Sequence, residues 1–143
     1  MVFNMVKQTS PQNRQTRVAE PQETLRGVFC YRPHGKYSLV EAVDLVSAAI
    51  AECRRRGVNK LLIDATGIED LPIPTLVDRF LMVEDWAHAA KGMLVMVMVI
   101  ADTYIHPQKF GVRVAAQLGL TCDVYSSEAE ALQWLLEYAP AQP

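Results

Sequence analysis

The chain has 143 residues, half of them hydrophobic, and a formal net charge of −2. That length supports one domain with its own core, and the near-neutral balance, with no basic stripe, argues against nucleic acid as a partner. Three cysteines, an odd number with no CxxC pair among them, argue against a disulfide framework or a zinc site and leave free thiols as the expectation.

Residues 1–24 read as a flexible N-terminal arm or an edge strand. The opening MVFNMV is apolar and ambiguous, and the polar stretch that follows carries two prolines, with strand character only near residues 15–19. No charged segment leads into a long apolar one, as a signal peptide requires. The longest apolar run, residues 93–101, falls well short of the roughly 20 residues a membrane-spanning helix needs. A cytoplasmic protein without a membrane span is expected.

The domain is expected over residues 25–138, with 139–143 as a tail. LRGVFCY reads as a strand and RPHG as a turn. Ser38 and Glu41 form an S-x-x-E capping box. Leu39, Val43, Val46, Ile50 and Cys53 then follow at spacings of four and three, the signature of a one-sided helix. Gly57 fits just past its end, and Arg54, Arg55 and Arg56 sit where cations favour the negative end of the helix dipole. Residues 58–64 read as a buried strand. Pro74 is placed in the first turn of a second helix, with Leu76, Phe80, Val83 and Ala87 inward and Gly92 at its end. MLVMVMVIA at 93–101 does not alternate, which marks a central strand covered on both faces. Pro107 is expected to open a third helix with Phe110, Val114 and Leu118 inward and Gly119 at its end. Residues 120–125 form a further strand. Ser127 and Glu130 repeat the S-x-x-E pattern ahead of Leu132, Leu135 and Tyr138, and Pro140 closes the chain. Strands joined by helical crossovers run parallel. The expected fold is thus an α/β sandwich with a mostly parallel central sheet flanked by helices, with a possible antiparallel N-terminal edge.

LLIDATGIEDLPIPTL at residues 61–76 resembles the strand–loop–helix of STAS domains, the SpoIIAA-like fold of bacterial anti-sigma-factor antagonists. The G-x-x-S-x-x-E-A opening at residues 35–42, the apolar strand at 93–101, Pro107-x-x-Phe110-Gly111 and SSEAEALQWL at 126–135 extend the likeness over residues 25–138. The resemblance implies a STAS/SpoIIAA-like sandwich and a regulatory role through protein–protein contact. In such domains a serine at the start of the helix after this loop is phosphorylated by a partner kinase. The motif lays Asp64 on the strand-end aspartate, Thr66 on the small hydroxyl residue and Gly67 on the loop glycine. The phosphoacceptor falls near Ile73 and the aspartate before it near Pro72, neither of which can do that work. Thr75 is the closest hydroxyl, two positions late.

Asp64 and Asp102 each follow an apolar strand, and the carboxyl ends of parallel strands face ligand crevices. Thr103, Tyr104, His106 and Lys109 cluster after Asp102. Either an Asp64–Asp102–His106 set activates water as a hydrolase, or each aspartate caps its own loop. A receiver-type phosphoaspartate at Asp64 is excluded because its acidic partners are replaced by RPHG, and the phosphate-cradling glycine motifs and the G-x-S-x-G elbow are missing. Cys122 reads as a core residue, His34 and His88 as surface or packing residues, and Trp86 and Trp134 as packing anchors. Met93, Met96 and Met98 either line an adaptable apolar pocket or fill the core; strand alternation puts Met93 opposite the other two.

Three functions are expected from these residues together with what the STAS-like resemblance implies. The leading one is a non-enzymatic module that docks a protein partner or itself, as a possible homodimer, through the corner at residues 64–75 and the helix after it. The second is a domain for a small apolar ligand or lipid. The third is the hydrolase. No cofactor and no metal is expected. The candidate binding residues are Asp64, Thr66, Gly67, Thr75, Asp102, Tyr104 and His106.

Overall fold

The computed structural model describes residues 23–25 and 27–138. The expectations for residues 1–22 and 139–143, Pro140 included, lie outside them. In chain order the elements are β1 (Glu23–Leu25), β2 (Val28–Tyr31), β3 (Gly35–Lys36), α1 (Leu39–Arg55), β4 (Lys60–Asp64), β5 (Ile68–Glu69), α2 (Leu76–Ala90), β6 (Val95–Val99), α3 (Phe110–Gln117), β7 (Thr121–Tyr125) and α4 (Glu128–Glu137). A single 3-10 turn, Asp102–Tyr104, precedes α3.

The main sheet has the order β1-β2-β4-β6-β7, with β1 antiparallel to β2 and every other pair parallel. The run LRGVFCY is therefore not one strand. Gly27, at φ +81°, turns the chain between β1 and β2, a conformation that costs glycine little. A small parallel pair, β3 with β5, ties the loop before α1 to the loop before α2. Because β2, β4, β6 and β7 are neighbours in sequence order, right-handed crossovers must carry α1, α2 and α3 over the same face. Among the described helices, only α4 lies on the other.

The register aligns Phe29, Leu61, Met96 and Cys122 across the sheet, all on the three-helix side. Val28, Leu62, Val97, Ala131 and Leu135 form the second core against α4. Val97 is 0% exposed, so the non-alternating run is indeed a strand covered on both faces. Met93 lies before β6 and is 64% exposed.

The Ser38–Glu41 box caps α1 as expected, and Arg55 and Arg56 both engage Glu52 at its end. These hydrogen bonds hold the Glu52 carboxyl below its ordinary range. The other helices differ from expectation in detail. Thr75, not Pro74, starts α2, through a reciprocal box with Asp78. Its inward residues are Val83, Trp86 and Ala90, while Leu76 and Phe80 are exposed. The helix is rotated about its axis because the large Trp86 ring is drawn inward and its Nε1–H donates to the Val43 carbonyl at 3.1 Å. Helix α3 begins at Phe110, three residues after Pro107, since a turn closed by the Lys109 amide on the His106 carbonyl comes first. Leu118 lies past its end and is exposed; Ala115 is the buried residue. Ser127 caps α4 by accepting the Glu130 amide. Lys60 donates to the carbonyls of Leu136 and Tyr138 at the helix's other end, where a cation suits the dipole.

Candidate functional site

The strand-end corner is held by its own polar groups. Asp64 closes β4, and its Oδ1 accepts both the amide of Thr66 (3.0 Å) and the Thr66 hydroxyl (2.6 Å). Its Oδ2 lies 3.8 Å from Arg32 Nε, and Arg32 in turn pairs with Glu128 at 2.6 Å. Arg32, the first residue of the RPHG turn, thus joins the ends of β2 and β4 to the start of α4. A cation that reaches two carboxylates on different elements is not marked by any local sequence pattern.

Gly67 answers to close packing. A side-chain carbon there would lie 2.5 Å from His34 Nδ1 and 2.8 Å from the Pro33 carbonyl. The Gly67 carbonyl accepts the Gly35 amide at 3.1 Å, which seeds the β3–β5 pair. Gly67→Ala is expected to lose about 1–3 kcal/mol, the usual cost of overpacking, measured as a lower urea midpoint. An unchanged midpoint would show that the two loops do not meet at this residue.

Thr75 is occupied in capping α2. Its hydroxyl accepts the Asp78 amide at 3.0 Å and its own amide donates to Asp78 Oδ2 at 2.9 Å. Asp102 and Thr103 are exposed in the 3-10 turn. Tyr104 points back to the corner, its hydroxyl donating to the Leu71 carbonyl at 2.7 Å, while Arg79 donates to the Tyr104 carbonyl at 3.0 Å. His106 Nδ1 accepts the Gln108 amide at 3.1 Å. Lys109 reaches Asp123 of β7 at 2.7 Å and lies 4.7 Å from the centre of the Tyr125 ring. Burial, and then the Asp123 charge, push the Tyr125 hydroxyl up.

Tyr104 and His106 are brought together with Leu71 and Pro74 at an apolar cavity of about 120 Å³ on the three-helix side of the sheet; Asp64, Asp102 and Thr75 do not line it. The described strand order contains no reversal, so the crevice that opens at a switch point in doubly wound sheets does not form above Asp64 and Asp102. Among the described residues no group of three or more His, Cys, Asp or Glu side chains is placed to hold a metal ion, and no helix is long and apolar enough to cross a membrane.

Beside the corner lies a feature that the sequence reading missed. Ile73, Leu76, Val77, Phe80 and Leu81 are each between 40% and 68% exposed and occupy the first turns of α2 and the residues just before it. The signal was present in the chain: Leu76, Val77, Phe80 and Leu81, together with Val83, Trp86 and Ala90, spread apolar residues over more of the helix than one buried stripe requires.

Fold and site define a mostly parallel α/β sandwich with an exposed apolar helix face and a partly open apolar pocket. Comparison with protein-family models, with characterised proteins and with solved structures gives no match for this chain. The STAS-like resemblance rests on the segments quoted above.

Proposed function

We propose that the protein is a non-enzymatic, STAS-like interaction module that docks a second copy of itself through the corner at residues 64–75 and the face of α2 that follows. The observation that carries this reading is the exposed apolar stripe. Apolar patches of this kind on a helix face mark contact surfaces. Its four helical members are also arranged symmetrically along the axis: reversing the helix about the midpoint of Asp78 and Arg79 exchanges Leu76 with Leu81 and Val77 with Phe80. A two-fold interface needs such self-complementarity, because each residue must meet the image of another residue in the same patch. The same reversal sets the exposed Glu84 and Asp85 near the N-terminal end of the other copy's helix, where negative charge is favoured.

Sedimentation equilibrium over a range of protein concentrations tests the proposal. A reversible dimer is expected. Leu81→Asp should weaken it at least tenfold, about 1.4 kcal/mol, with the circular dichroism spectrum unchanged because Leu81 is exposed. A protein that stays monomeric at millimolar concentration, or a dimer indifferent to Leu81→Asp, would overturn the self-docking reading. A monomer that binds a different protein through this face would place a foreign partner there instead.

A further inference from the structure

The cavity behind Tyr104 is independent of the exposed face of α2, and its chemistry selects an occupant. Its floor is the sheet face formed by Met96, Met98, Cys122 and Val124, and Val83 and Trp86 of α2 are among its walls. The polar side chains at its edge each make a contact within the protein. Arg79 donates to the Tyr104 carbonyl and the Tyr104 hydroxyl to the Leu71 carbonyl. Lys109 is paired with Asp123, and His106 Nδ1 holds the Gln108 amide. A charged ligand would have to give up its hydration for a lining that is overwhelmingly apolar, at a cost a small molecule cannot recover. An uncharged apolar one loses nothing on entry. Size narrows the class further. An engineered apolar cavity of about 150 Å³ takes benzene or xenon and excludes water, and the volume here, about 120 Å³, is slightly smaller. Two methionines in the floor add adaptability, since the unbranched thioether repacks around different shapes and makes favourable contacts with ring edges.

We infer that this cavity is a binding site for a neutral apolar molecule whose buried part is about the size of a single six-membered ring. Tyr104, latched to Leu71, stands where the ligand enters between the loop before α2 and the loop before α3.

Benzene is the probe, with benzoate as the charged counterpart of the same ring, and binding is read by NMR of the methionine methyl groups. Benzene should shift the Met96 and Met98 methyls in a saturable way, with a Kd on the order of 1 mM, and leave the exposed Met93 methyl in place. Benzoate should produce no saturable shift. Gly111→Leu should remove the response. Gly111 lines the cavity, a carbon added there meets only Val83 Cγ2 at 3.7 Å, and its backbone is not in the left-handed region. Gly111→Ala is the milder variant for the case in which leucine disturbs folding, and it should weaken benzene severalfold. No saturable shift at Met96 and Met98 in the unmodified protein overturns the inference. So does a response that Gly111→Ala leaves unchanged. Benzoate binding as tightly as benzene overturns the assignment to neutral ligands. None of these outcomes bears on self-docking, which is read by sedimentation alone.

Discussion

Trp86→Ala is expected to remove about 3–5 kcal/mol of stability, a large share of the roughly 5–15 kcal/mol that holds a domain of this kind together. The residue is 6% exposed and stands between α1 and α2. Truncation deletes a large apolar surface, enlarges the adjoining cavity that Trp86 already lines, and removes the indole hydrogen bond to Val43. Trp86→Phe separates these effects. It keeps most of the area, loses the bond, and should cost about 1–2 kcal/mol. Urea denaturation of the two variants gives both numbers. A loss below about 1 kcal/mol for Trp86→Ala would mean that α1 and α2 do not share this contact.

Raising the pH from about 9 toward 12 should destabilise the protein progressively. Burial, with a smaller contribution from Glu52, pushes the Cys53 thiol from 9.0 up to about 12. Burial and then Asp123 do the same for Cys122. Tyr31 is raised as well, by burial and then by Tyr37. In the unfolded chain a thiol loses its proton near pH 9, whereas in the folded protein Cys53 keeps it until about pH 12. Between those values the folded state binds more protons, so stability falls as pH rises. Cys53 alone contributes a slope of up to about 1.4 kcal/mol per pH unit. Urea midpoints taken at pH 8, 9.5 and 10.5 should fall progressively, and Cys53→Ala should make the decline shallower. Equal midpoints across that range would contradict the burial of these groups. The same protonation predicts slow alkylation of Cys53 in the native protein, since the thiolate is the nucleophile.

Where sequence reasoning succeeded, the deciding signal was local. Helix α1 was legible because Ser38, Glu41 and the apolar series from Leu39 to Cys53 all agree on one element, and β6 because only a doubly covered strand tolerates VMVMV. Helix α2 was read with its buried side displaced, because Leu76, Phe80, Val83 and Ala87 make as regular a stripe as Val83, Trp86 and Ala90. Only the fit of the indole against Val43, on another helix, decides between them. The Thr75–Asp78 box was overshadowed by Pro74, a helix-start signal one residue earlier. The α3 start was misplaced because Lys109 takes a left-handed conformation, φ +51°, that lysine rarely adopts. The cavity was beyond reach altogether: Met96, Cys122, Val83 and Gly111 become neighbours only when the sheet and three helices assemble. Of the candidate residues, Tyr104 and His106 were placed together by proximity in sequence and do meet at one opening, whereas Asp64 and Thr66 turn out to satisfy each other.

Among the described residues, three crossovers on one side leave the opposite sheet face to a single late segment. A nascent chain that has emerged only through β7 already carries Cys30, Leu62 and Val97 in register, yet lacks Ala131 and Leu135 to cover them. Synthesis of this protein therefore passes through a stage with a greasy, half-built slab, and the interval before Glu128–Glu137 leaves the ribosome is when chaperone holding matters most.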